Sequence, residues 1–153
     1  MNWNCGAYLL LIICLIFIVY SGEYYTTNIL EPDRIGTAWM IKKFVDTSAV
    51  FHFVGKDSVV KDAVSFDTPS SKYRRYPRFS STMSVVRFHN IKNENAGKLA
   101  EVIDEIELDF WGAGKPERAV KFQTEIMKIV EDNCDLHLTL KKAFEYIKHW
   151  LKE

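Results

Sequence analysis

The first 22 residues carry no charged side chain, and within them Ala7–Tyr20 is an unbroken apolar run. A segment of this kind has no polar face to turn towards water, so it constrains the chain before any other feature does. As a helix the run spans roughly 21 Å, or roughly 27 Å if extended from Cys5 to Gly22. A bilayer core is about 30 Å thick. The run therefore has the size of a signal-peptide core and is slightly short for a full span. Val19 and Ser21 suit the small-residue positions ahead of a cut before Gly22. No Lys or Arg precedes the run, which keeps an uncleaved membrane anchor open as the competing reading. Either way the chain is expected to be exported (periplasmic or extracellular) or membrane-anchored through residues 5–22.

From Glu23 onward the sequence is that of an ordinary globular chain. Twenty Lys+Arg balance twenty Asp+Glu. That balance disfavours a nucleic-acid binder held by its overall field. Residues 23–32 (EYYTTNILEP) read as an exposed linker, and 33–153 as one domain. Asp33 is a candidate N-cap for a helix over Arg34–Val45, stopped by Asp46–Ser48. Ala49–Val54 (AVFHFV) reads as a short strand ended by Gly55, with a second around Val64–Phe66. Asp67–Ser81, rich in Ser, Pro and Arg, reads as an irregular loop. Four helices are expected beyond it. They are Thr82–His89; Ala96–Leu108, with Leu99, Val102, Ile103 and Ile106 on one stripe; a helix opened by Pro116 after the Gly112–Gly114 break; and a last helix capped by Asp135. The expected class is α+β, mainly α, with about five helices and a small two-strand β element.

Two groups of cations stand out. On a helical wheel, Arg34 and Lys42 fall inside the apolar arc of the first helix, roughly 80° apart. Cations on a packing face are costly unless paired or lining a polar site. Either Arg34 caps the helix end and Lys42 snorkels past its neighbours, or both point into a shared anion-binding cleft. The second group is Lys72–Phe79 (KYRRYPRF), four cations and three aromatics in eight residues. Such a segment can fork around a tetrahedral oxyanion or stack on single-stranded nucleic acid. It can also be a solvated loop balanced by acidic helices. The export segment makes nucleic acid an unlikely partner.

The remaining chemistry-bearing residues point to no motif. His52, His89, His137 and His149 form no metal-ligand pair, and no P-loop, Rossmann or nucleophile-elbow pattern is present. His52, alternating with Phe51 and Phe53, reads as a surface or edge histidine. Cys134 is the one thiol beyond the export segment and reads as a small buried apolar residue. The acidic run Glu101, Asp104, Glu105, Glu107, Asp109 reads mostly as a solvated helix face. No metal site, cofactor or catalytic residue is identified.

Asp33–Asp46 (DRIGTAWMIKKFVD), followed by Ala49, Phe51, Phe53 and Val54, resembles the chromate-resistance protein family, in its ChrB C-terminal domain or exported form. The family pattern there is D-R-[IL]-x-x-x-W-[LI]-I-x-R-F-[IV]-D, then x-x-A-x-F-x-F-V. Phe66–Asp67, Thr82, Leu99–Ile103 with Glu107–Leu108, Pro116–Glu117 and Phe144–Trp150 follow in the family's order, so the resemblance covers roughly 33–150. Two positions depart from it. The His that usually precedes the T-F step is missing, with Tyr76 nearest to it, and Glu107 stands in place of an Asp.

The resemblance implies a role in keeping cellular oxyanion low. Together with the cationic segments it makes binding of a small oxyanion of the chromate or sulfate class the leading expectation. The residues expected to serve it are Arg34, Trp39, Lys42, Lys43, Asp46, Arg74, Arg75, Tyr76, Arg78 and Glu107. A metal-dependent or redox enzyme using Glu107 with Asp67 or Tyr76 is the second reading. A regulatory domain of the chromate response, which the resemblance suggests for longer relatives, is the third.

Overall fold

A computed structural model describes residues 22–108 and 114–152. The apolar run Ala7–Tyr20, Gly112–Ala113 of the expected break and Asp109 of the acidic run lie outside the described residues. No described helix is long and apolar enough to cross a membrane.

The elements run in the order β1 (Glu23–Thr27), α1 (Pro32–Met40), a π-helical turn (Ile41–Val45), β2 (Val50–Val54), β3 (Val64–Ser65), α2 (Ser81–Phe88), α3 (Glu94–Glu107), α4 (Glu117–Glu131) and α5 (Leu136–Trp150). The α+β, mainly helical class holds, with five α-helices among the described residues. The β element has three strands rather than two, all parallel, in the order β2-β1-β3. Residues 23–27, expected as part of a linker, are the central strand. Tyr24 and Thr26 turn inward and their neighbours are half-buried, a period-2 pattern written in residues that also suit a loop.

Helix α1 begins at Pro32, whose fixed φ suits a first turn. The N-cap position falls on Glu31, which makes no side-chain cap. Asp33, expected as the cap, lies inside the helix. Every residue from Pro32 to Met40 is buried, because α1 packs against α2, α3, α4 and α5 at once. Its extension is a π turn closed by the Asp46 N–H on the Ile41 carbonyl at 2.8 Å. An enclosed helix that changes pitch at Ile41 has no single packing arc, so the wheel that placed Arg34 beside Lys42 does not apply.

Helix α3 buries its expected stripe, and the later helices add to the same core. Leu99, Val102, Ile103 and Ile106 of α3, Ala119, Phe122 and Ile126 of α4, and Leu140 and Ile147 of α5 share one core with Ile35, Met40 and Ile41. At Gly36, α1 and α2 approach closely. A Cβ there would stand 2.6 Å from the Thr82 hydroxyl and 3.3 Å from Ile103. His52 lies on edge strand β2, half-exposed, against Glu23 at 2.5 Å. Cys134, expected to be buried, is exposed in the turn between α4 and α5, where a small residue has no core to join.

Candidate functional site

The N-terminus of α2 is held by carboxylates from other helices. The Asp33 carboxylate, 4% exposed, accepts the main-chain N–H of Ser81 and of Thr82, each at 2.8 Å, and the Thr82 hydroxyl at 2.8 Å. Asp104 of α3 accepts the Ser80 N–H at 2.7 Å. Ser80 caps α2 locally by accepting from the Met83 N–H at 3.1 Å. The first-turn N–H groups that a helix leaves orphaned are thus satisfied across the fold, and negative charge sits at the positive end of the helix.

Asp67 joins this cluster from the loop after β3. Its backbone is left-handed, with φ 48°, a conformation that Asp tolerates better than most residues. Arg34 meets it twice, through Nη2 at 3.0 Å from the carboxylate and at 3.3 Å from the carbonyl. The Arg34 Nη1 also donates to the Ile29 carbonyl. The Ser81 hydroxyl donates to Asp67 at 2.6 Å. Burial, reinforced by the negative charge of Asp33, pushes the Asp67 carboxyl up to about 7 despite the Arg34 partner. Burial also raises Asp104 and Glu107, with the charge of Asp33 adding to both. Burial in low dielectric thus favours proton retention at Asp67, Asp104 and Glu107.

A cleft of about 500 Å³ opens over Asp67, lined also by Arg74, Arg75 and Tyr76. Arg75 donates to the Glu107 carboxylate at 2.9 Å and to the Glu107 carbonyl, which ties the cleft wall to the C-terminus of α3. Arg74 lies over the Tyr76 ring at 4.8 Å, Tyr76 stacks on Phe79 at 4.7 Å, and Arg87 covers Phe79 at 4.3 Å. This alternation of cations and rings stiffens the loop. Ser71 pins its other end by donating to the carbonyls of Thr68 and Tyr73, at 2.8 and 3.0 Å.

The expected site residues therefore divide. Arg74, Arg75 and Tyr76 line the cleft, with Glu107 clamped behind Arg75 and Arg34 behind Asp67. Arg78 is exposed at the tip of the Tyr76–Phe79 turn and does not line it. Lys42 lies on the π turn and donates to the Ala49 carbonyl at 2.9 Å. Asp46 accepts from the Gly22 N–H and from Ser48, and these bonds outweigh its burial and hold it below the usual carboxylate range. Trp39 and Lys43 border a separate depression with Lys148 of α5 and Lys152 just past its end. Arg34 and Lys42 do not share a cleft.

The acidic run also divides. Glu101 faces solvent and Glu105 pairs with Arg118, whereas Asp104 and Glu107 turn towards α2 and the cleft. The roles of Asp33 and Asp104 as acceptors at the start of α2 had no sequence signal, because their partners lie 49 and 24 residues away. No group of His, Cys, Asp and Glu side chains suited to holding a metal ion occurs among the described residues.

A protein-family model described as "ChrB, C-terminal domain" matches residues 24–152. Its span begins within the central strand and ends after α5, so it takes in the carboxylate cluster and the cleft together. No curated protein and no solved structure matches the chain.

Proposed function

The chain belongs to the ChrB C-terminal domain family, which gives it a role related to chromate resistance, and on that premise we propose that it binds a tetrahedral dianion of the chromate or sulfate class in the Asp67–Tyr76 cleft. The observation that carries this reading is the pairing of Arg74 and Arg75 with a carboxyl pushed up to about 7 in one cleft. The guanidinium groups offer planar donors to the anion oxygens. A protonated Asp67 adds a donor where an ionised one would repel the guest. Glu107 holds Arg75 until an anion competes for it. Arg34 acts behind Asp67 and fixes its orientation without touching the ligand.

The accompanying proposal for location is export or membrane attachment through the uncharged N-terminal segment. N-terminal sequencing of the protein from its native membrane fraction tests it, because a chain beginning at Gly22 means cleavage and one beginning at Met1 means an anchor.

An enzymatic reading is favoured by one observation: Asp67 and Tyr76 line the same cleft and Glu107 is clamped to its Arg75. Isothermal titration of the full chain in nonionic detergent with chromate and sulfate separates the two. Binding predicts heat from both anions with chromate recovered unchanged. A redox enzyme, given a reductant in a parallel assay, consumes chromate. No heat from either, with the protein folded, removes the oxyanion reading.

A further inference from the structure

The lysines that the cleft leaves out lie on one seam. The end of α1 and its π turn run against α5, and the seam holds two depressions. One, of about 330 Å³, is bordered by Lys42, Val50, Lys141 and Phe144. The other, of about 190 Å³, is bordered by Lys43, Phe44, Lys148, Leu151 and Lys152. Lys141, Glu145 and Lys148 of α5, with Lys152 just past its end, recur every three or four residues, so they share one stripe. The seam thus carries five lysines interleaved with apolar side chains. Of the acids nearby, Glu145 lies 3.7 Å from Lys148, Asp46 accepts from Gly22 and Ser48, and Glu94 is exposed between Asn93 and Asn95 at the edge of the second depression.

The N-terminal segment joins the fold at this same seam. The Gly22 N–H donates to Asp46 at 2.8 Å, and the Val50 N–H donates to the Gly22 carbonyl at 3.0 Å. Gly22, which follows the uncharged residues 1–21 in sequence, is therefore bonded to the end of the π turn and to the start of β2. A membrane holding the residues before Gly22 would lie within a short stretch of chain from Asp46 and Val50, at the edge of the lysine face. We infer that the seam between the π turn and α5 is a docking face for anionic lipid headgroups, with Lys43, Lys148 and Lys152 at its centre and Phe44 and Leu151 supplying apolar contact. Lysines beside a membrane anchor are drawn to an anionic leaflet and lose that attraction in salt. The inference rests on the anchored form of the proposal above and is independent of the oxyanion cleft.

The test places the full chain in nanodiscs of phosphatidylcholine alone or with one third phosphatidylglycerol and labels it with an amine-reactive ester read by mass spectrometry. The expected result is that labelling of Lys43, Lys148 and Lys152 falls about fivefold in the anionic discs. Lys61 and Lys121 should be unchanged, and high salt should reverse the protection. Equal labelling in both discs overturns the inference. So does equal protection by inorganic phosphate in neutral discs, which would make the face a soluble-anion site. Recovery of the native protein only as a chain beginning at Gly22 also overturns it, while leaving sulfate titration of the cleft unaffected.

Discussion

The carboxylate of Asp33, in the first turn of α1, accepts the main-chain N–H of Thr82, in the first turn of α2, at 2.8 Å. With the parallel bond from Ser81, this fixes where α2 starts and therefore where the loop carrying Arg74, Arg75 and Tyr76 must end. Asp33→Ala leaves two buried N–H groups without an acceptor and is expected to cost on the order of 3 kcal/mol. Urea denaturation measures it. A loss below about 1 kcal/mol would mean that water replaces the carboxylate at no great cost.

Gly36 tests the same junction by sterics. A methyl group there meets the Thr82 hydroxyl at 2.6 Å, too close for any Cβ contact. Gly36→Ala is expected to destabilise by about 1–3 kcal/mol, outweighing the gain in helix propensity of about 1 kcal/mol. A rise in melting temperature would show that α1 and α2 separate more readily than their packing suggests.

Much of this architecture is legible in the sequence, and the rest fails for identifiable reasons. The stripe Leu99–Ile106 announces α3 because a one-sided helix writes its burial at helical spacing. Strand β1 is less legible, because its inward residues Tyr24 and Thr26 are also at home in a loop. Asp33 resembles an ordinary N-cap, since a cap for a helix nearly fifty residues away follows no local rule. Asp104 and Glu107 cannot be separated from Glu101 and Glu105 until α2 is in place beside α3. Within Lys72–Phe79, composition points to the cleft. Only the turn at Tyr76–Phe79 separates Arg74 and Arg75, which line it, from Arg78, which does not.

Asp67 makes stability depend on pH. The folded chain keeps this proton up to about 7, whereas an unfolded Asp loses it near 4. Between those values the folded state binds more protons, so the stability associated with this group is greatest at the acid end and falls as pH rises through about 7. The urea midpoint is expected to drop from pH 5 to pH 8, and Asp67→Asn is expected to remove most of that drop. A midpoint that rises over this window, or a variant that falls in parallel with the wild type, contradicts the assignment.

The same proton governs binding. Sulfate stays dianionic across this range, so its affinity reports on the protein. It is expected to weaken as pH rises through about 7 in the wild type and to change little in Asp67→Asn. Isothermal titration at several pH values checks this, and an affinity that strengthens with pH would contradict a donor role for Asp67.

The cations of the cleft should matter unequally with those elsewhere. Arg75→Gln and Arg74→Gln are each expected to weaken sulfate binding about tenfold. Lys42→Gln should leave it unchanged, because Lys42 is spent on the Ala49 carbonyl. Equal losses for all three would point to a diffuse field rather than a site.

The most direct measurement is a titration of the isotope-labelled full chain with sulfate and with chromate, followed through its backbone amide resonances. The account predicts that the largest shifts fall on Asp67, Arg74, Arg75 and Tyr76. Shifts centred on Lys43 and Lys148, or none along the 67–77 loop at saturating anion, would contradict it.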